Sequence, residues 1–269
     1  MTTVRIIGPG RAGRSFEGAL AGAGVEVKDL LGRADDLSLA AVAVDLVLIA
    51  VPDRAIGDVA ARIGPVRSTV VAHCSGSLGL EVLGGHERAA LLHPLVTLPD
   101  PVIGSARLCA GGWFCVEGDA LASDLVRALG GRALAVPARS KAAYHAAACM
   151  ASNHVVALLG QVQRVAEGAG VPFEAFLPLA RGALEDVALL GPAAALTGPA
   201  ARGDLVTIER HRRGLDPSEL DGYDAGVALA RRLVTAGPPG PGQALQPGAE
   251  RPAEGTGFED LLAVGRPWS

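Results

Sequence analysis

The chain opens with TTVRIIGPGRAGRSFEGALAGAG: a short β-branched run, then Gly8, Gly10 and Gly13 in G-x-G-x-x-G spacing, then a helical pattern carrying Phe16 and Leu20. This arrangement restricts the fold more than any other feature of the sequence. Gly8 permits a tight turn, Gly10 lets the backbone approach a pyrophosphate, and Gly13 lets the helix lie close to the strand. The start of the helix adds free N–H groups and the positive end of its dipole. Pro9, Arg11 and Ala12 complete the turn, and the whole stretch predicts dinucleotide binding by a strand–turn–helix unit.

The next strand, VEVKDLLGR, ends where an adenosine ribose would lie, and the expected position carries Arg33. An acidic group there would accept hydrogen bonds from a 2′-hydroxyl, whereas a guanidinium pairs with a 2′-phosphate, so Arg33 predicts NADP over NAD. Asp29 is the competing acidic group, but it sits in mid-strand. DLVLIAVPDRAIGDVAARI repeats the logic with a continuous apolar strand, a loop of Val51, Pro52 and Asp53, and a helix. STVVAHCSGSLGLEVL does so again. Alternating strands and helices predict a parallel sheet with right-handed crossovers, with ligands beyond the carboxyl ends of the strands. AALLHPLVTL, GGWFCVEG and RALAVP read as later strands, and DALASDLVRALGG as a helix.

At 269 residues the chain is long for one core, so we expect two domains. Apolar residues make up 49% and aromatic residues 3%, so the core must be built from many small aliphatic side chains in close contact. A formal charge of −4 argues against nucleic acid or an anionic membrane as partner, and RHRR at 210–213 reads as a solvated helix end. The first strand begins too early to leave room for a secretion signal, and the longest apolar stretch is too short to span a bilayer. A cytoplasmic protein is expected. Cys74, Cys109, Cys115 and Cys149 form no CxxC pair and are expected as buried reduced thiols.

After Pro137 the period becomes helical. From Ser140, a candidate N-cap, nothing breaks the pattern until about Glu167, which predicts a helix of about 40 Å at 1.5 Å per residue. VPFEAFLPLARGALEDVALLG reads as a further helix interrupted by Pro178, and PSELDGYDAGVALARRLV as the last. The expected division is a nucleotide domain at 1–138, a helical substrate and dimerisation domain at 139–236, and a Pro/Gly-rich flexible tail at 237–269 whose FEDLLAVGRPW end is a candidate docking motif.

At 100° per residue Lys141, Tyr144, His145 and Cys149 share one side of the long helix, with Asn153 at the edge of the arc and His154 elsewhere. A polar stripe on an alanine-rich helix following a nucleotide fold suits a substrate cleft. His73, Cys74 and His93 are not expected to bind metal, because adjacent strand residues face opposite ways.

GPGRAG, VPD, HCSGSLG, HPLVTLPDP, KAAYHAAACMASNH and LTGPAARGD together resemble a group of Rossmann-like NADP oxidoreductases with a C-terminal helical domain of unknown function. More distantly the chain is similar to the superfamily of 6-phosphogluconate dehydrogenases, ketopantoate reductases and pyrroline-5-carboxylate reductases. The resemblance implies an N-terminal Rossmann sheet, an all-helical C-terminal domain of the 6-phosphogluconate dehydrogenase type and a homodimer formed through the helices. β-Hydroxyacid dehydrogenases carry a Lys-x-x-x-Asn pair on the first long helix. Lys141 matches the lysine, but His145 stands in place of the asparagine, so either Lys141 or His145 is the proton donor, and the other orients the substrate. By the same resemblance Ser75, Gly76 and Ser77 hold a carboxylate or carbonyl oxygen, with His93, Tyr144, Asn153 and Arg202 as further substrate contacts. The implied activity is NADP-dependent oxidation or reduction of a small keto acid, hydroxy acid or imine. The alternative is a nucleotide-binding sensor or assembly protein without turnover.

Overall fold

A computed structural model describes residues 1–236, in two compact units, Met1–Ala157 and from Leu158 onward. The expectations for the tail, both its flexibility and its docking motif, lie outside the described residues.

The first unit is built on strands β1 (Thr3–Ile7), β2 (Glu26–Leu31), β3 (Leu46–Ile49), β4 (Val70–His73), β5 (Ala89–Pro94), β6 (Trp113–Gly118) and β7 (Arg132–Leu134). They form one sheet in the order β2-β1-β3-β4-β5-β6-β7. Helices α1 (Arg11–Gly22), α2 (Asp53–Ala61), α3 (Pro101–Leu108) and α4 (Ala120–Ala128) cover its faces. Strand alternation divides the core. Leu46 and Leu48 of β3 join Phe16, Leu20, Leu125 and Phe114 on one face, while Val47 and Ile49 join Ile56, Ile63 and Leu83 on the other.

With so few aromatic residues, small ones set the spacing. A Cβ on Gly104 of α3 would lie 2.0 Å from Ser15 Oγ of α1, so these helices pack at near-backbone separation. The Asp100 carboxylate starts α3 by accepting from the Val102 and Ile103 N–H groups, with Pro101 in the first turn.

The expected parallel sheet is present, with one pairing in it antiparallel. β2, β1, β3, β4 and β5 run one way, but β6 is antiparallel to β5, and β7 follows β6. The reason is local: the Leu95 N–H donates to the Trp113 carbonyl at 2.8 Å, so the connection through α3 leaves and re-enters at the same end of β5. In the antiparallel register His93 faces Cys115, and Leu91 faces Glu117. Directly opposed residues share a face, so His93, Cys115 and Glu117 project to the same side.

The long helix is present but is not a uniform α-helix. It runs as α5 (Lys141–Cys149), a π turn at Met150–His154, and α6 (Val155–Gly168). Ser140 makes no side-chain cap; a 3₁₀ turn at Ala138–Ser140 leads in instead. The first compact unit therefore includes all of α5 and the π turn.

In the second unit α7 (Leu177–Leu190), α8 (Pro192–Ala195), α9 (Gly198–Arg202), α10 (Leu205–Gly214) and α11 (Leu220–Ala236) follow. Pro178 falls in the first turn of α7, where its missing N–H costs nothing, and so begins the helix rather than interrupting it. Asp204 caps α10 by accepting from the Thr207 N–H. The RHRR cluster is its last turn, where Arg212 pairs with Asp224 and Arg213 with Glu209. The helical unit is tied by a two-pronged Arg164–Glu219 pair and by Gln161 donating to the Glu219 carbonyl.

Candidate functional site

The three glycines of the opening turn do three different things. Gly8 has φ +114°, and a Cβ there would lie 2.4 Å from the Ala50 carbonyl oxygen. A Cβ on Gly13 would lie 1.9 Å from the Gly8 carbonyl oxygen. On Gly10 it would meet nothing within 4 Å, so the turn is open where a pyrophosphate would approach. α1 begins directly after Gly10 with no side-chain cap, leaving first-turn N–H groups for an anion. Arg14 braces the turn by donating to the Pro9 carbonyl.

A cleft of about 380 Å³ runs from Gly8, Pro9 and Gly10 past Gly32 and Arg33 to Val51 and Pro52. Arg33 and Arg62 both line this cleft and could hold an anionic group of a dinucleotide. Arg62, at the close of α2, carried no sequence signal. Asp29 is occupied elsewhere, accepting from Arg5 Nε at 2.9 Å.

The loop after β4 is organised by its own side chains. His73 is fully buried: its Nδ1 accepts from the Ser75 N–H, and its Nε2 bonds the Gly79 carbonyl. Burial lowers its pKa below the usual histidine value. The Ser75 hydroxyl oxygen accepts from the Ser77 and Leu78 N–H groups. Ser77 donates its hydroxyl to Asp53 at 2.5 Å, which leaves Ser75 to donate to Ser77. Both hydroxyls expected to meet substrate are thus committed to the loop and to its link with the start of α2.

Gly76 is different. A Cβ there would lie 2.7 Å from both Cε1 and Nε2 of His93 and 2.8 Å from Cδ2 of His145. Only a glycine admits both rings. His93 Nδ1 bonds the Tyr144 hydroxyl at 2.7 Å, and the His93 ring centroid stands 5.7 Å from that of Tyr144 and 6.1 Å from that of His145. Burial, with the nearby His145 charge, lowers His93 to about 4. Burial and the neighbouring Cys115 thiol push Tyr144 above its usual value.

Lys141 is 6% exposed, with Nζ 2.5 Å from Glu117 Oε2 and donating to the Leu78 carbonyl at 3.1 Å. No aligned hydrogen bond reaches that carboxylate oxygen, so the Glu117 pairing is a charge contact. The first turn of α5 is therefore pinned to β6 and to the loop after β4. Among the described residues the hydrogen-bond partner of His145, one turn on, is the Cys149 sulfur at 3.9 Å.

No curated protein matches the sequence. Residues 113–230 match the family described as a domain of unknown function, DUF2520. Among solved structures, a candidate NADP oxidoreductase from Bacteroides fragilis superposes with TM-score 0.72 at 21% identity, over 86% of this chain and 98% of that one. A Thermotoga maritima protein gives TM-score 0.65 at 25% identity over 87% and 98%. The reductive aminase of Aspergillus terreus, solved with NADPH and ethyl-5-oxohexanoate, gives 0.63 at 16% over 88% and 95%.

The fold is that of the Rossmann-type NADP oxidoreductases. On this fold the glycine turn, the Val51–Asp53 loop, the Gly76 loop and His93 all lie at the carboxyl ends of β1, β3, β4 and β5, which are parallel and so share one edge. Of the expected residues, Gly76, His93, Tyr144 and His145 come together there, while Lys141 meets Glu117 and Leu78. Asn153 is exposed on the π turn. Arg202 is exposed in the second unit, at the end of α9. Glu117 and Cys115 were not legible as site residues, because their placement depends on the reversed direction of β6. Of the four cysteines only Cys115 is buried, and Cys109 is exposed, contrary to the expectation for all four. Among the described residues no group of three or more His, Cys, Asp or Glu could hold a metal ion, and no helix is long and apolar enough to cross a membrane.

Proposed function

We propose that the chain is a cytoplasmic NADP-dependent oxidoreductase of a small polar keto acid, hydroxy acid or imine. The observation that carries this reading is the Ser77–Asp53 hydrogen bond. It joins the loop bearing Gly76 and its two histidines to the loop that lines the glycine cleft, so a nucleotide site and a set of proton-handling groups share one frame.

When bound, the nicotinamide dinucleotide supplies or accepts the hydride. The residues of the chain do the rest. Gly8, Gly10 and Gly13 hold the turn open to a pyrophosphate, and Arg33, with Arg62, takes the 2′-phosphate. His145 is the proton donor to the substrate. Its ring sits at the Gly76 gap and has, among the described residues, a weak sulfur as its hydrogen-bond partner, whereas the Lys141 ammonium is engaged by Glu117 and Leu78. The Gly76 N–H, His93 and Tyr144 form the wall that the polar end of the substrate meets.

The helical unit associates with a second copy of the chain. None of the residues of α7 is buried, although Leu177, Leu179, Leu184, Val187, Leu189 and Leu190 are all on it. A helix apolar around most of its circumference belongs in an interior, and a second copy provides one by symmetry.

Titration with NADPH and NADH, followed by nucleotide fluorescence and thermal shift, tests the reading. NADPH should bind in preference to NADH, and Arg33→Ala should weaken it about tenfold or more, the loss of one charge-assisted contact. Absence of binding by either nucleotide would sink the reading. In a screen of small 2-oxo acids and cyclic imines, His145→Gln should lower kcat by about 100-fold or more with NADPH affinity unchanged.

A further inference from the structure

We propose that the Tyr144 hydroxyl donates to Nδ1 of His93 and so fixes that ring as its Nε2–H tautomer, a hydrogen-bond donor directed at the substrate beside Gly76. The geometry leaves few alternatives. Tyr144 and His93 meet at 2.7 Å through Nδ1, so the proton between them lies on one or the other. If Nδ1 carried it, the phenol proton would have to turn to the Cys115 sulfur, a weak acceptor, and an imidazole nitrogen is much the better one. Burial holds both Tyr144 and Cys115 in their protonated forms, so each remains a donor.

The other nitrogen of the ring is the one left over. Nε2 has no hydrogen-bond partner among the described residues, and it is not sealed from solvent as Glu117 Oε2 is. It lies where a Cβ on Gly76 would come within 2.7 Å. An N–H there meets an acceptor: a carbonyl or carboxylate oxygen, or an imine nitrogen.

The groups facing His93 are Tyr144 and His145 from α5, Cys115 from β6, His73 from β4 and Asp53 from the start of α2. The ring remains uncharged in their company, because burial outweighs the Asp53 carboxylate. Tyr144 does not replace a proton lost from His93, since burial suppresses its acidity. His93 therefore donates a hydrogen bond and keeps its proton, which leaves proton transfer to His145. Tyr144 acts through His93 as a positioning residue.

The identity of the acceptor rests on the reductase reading, whereas the tautomer does not. Nitrogen NMR of the ¹⁵N-histidine-labelled full chain without ligand reads the tautomer directly, with His93→Gln identifying the resonances. We expect Nε2 protonated and Nδ1 unprotonated from neutral pH to about 5, and in Tyr144→Phe a mixture of both tautomers. A protonated Nδ1 in the parent protein overturns the proposal, as does a Tyr144→Phe spectrum with the tautomer unchanged. The parent spectrum decides the tautomer even if the variant does not fold. Failure to bind NADPH would remove the reductase reading and leave the tautomer result standing. NADPH binding with Nδ1 protonated would do the reverse.

Discussion

An alanine at position 13 would press its Cβ to 1.9 Å from a backbone oxygen, while one at position 10 would meet open space. The two substitutions should separate folding from binding. Gly13→Ala is expected to destabilise the protein by about 1–3 kcal/mol, read by chemical denaturation, because a backbone atom must move. Gly10→Ala should change stability by less than about 0.5 kcal/mol yet lower NADPH affinity about tenfold or more. His93 makes a prediction in pH. Its folded value of about 4 lies below the ordinary 6.5, so between the two the unfolded chain binds more protons and stability rises with pH. The contribution is complete above about pH 6.5, is lost as pH falls toward 4, and amounts to about 3 kcal/mol at 1.36 kcal/mol per unit. His93→Gln should flatten the stability profile across that window; an unchanged profile would mean that the ring is not held neutral.

The fit between α5 and the edge of the sheet decides the site at the scale of elements. Lys141 is almost fully buried, whereas the Glu117 side chain is 36% exposed, so the two halves of the pair are unequal. Glu117→Gln strands a buried ammonium and should cost more stability than Lys141→Met, which leaves a carboxylate on a side chain that is partly exposed although its Oε2 is not. A double-mutant cycle should show a coupling of about 1–3 kcal/mol, and additive effects would mean the contact carries no energy. The π turn is the second decision made here. An extra residue per turn rotates everything beyond it, so the 100° projection holds for Lys141, Tyr144, His145 and Cys149 but not for Asn153. The Ser152 hydroxyl, donating to the Ala148 carbonyl, sits at this change of register.

For the whole molecule, the helical unit sets the question. Only Ala166 and Ile208 are buried among the apolar residues described beyond Ala157, and a groove of about 730 Å³ runs along Leu158, Val162, Val165, Phe176, Tyr223 and Val227. So little interior cannot offset the entropy of ordering the helices of this unit. Sedimentation equilibrium should therefore give twice the 27.2 kDa chain mass, and Leu184→Glu, on exposed α7, should shift it toward monomer with a lower Tm. A parent protein that is monomeric at micromolar concentration would contradict the dimer.

The sequence alone determined whatever depends on short-range geometry. G-x-G-x-x-G between strand and helix requires one backbone path, so the turn of Gly8, Gly10 and Gly13 follows from residue type and spacing. A histidine at position 145, where the resembled β-hydroxyacid dehydrogenase pattern has asparagine, stood out from residue type. The tertiary structure decided everything that depends on which strand lies beside which. Helix and strand propensities are the same for either direction of β6, and it is the antiparallel β5–β6 ladder, continued by the Leu95–Trp113 hydrogen bond, that brings Cys115 and Glu117 to the His93 face. That reversal ties Lys141 to Glu117, gives Tyr144 to His93, and leaves His145 at the open side of Gly76.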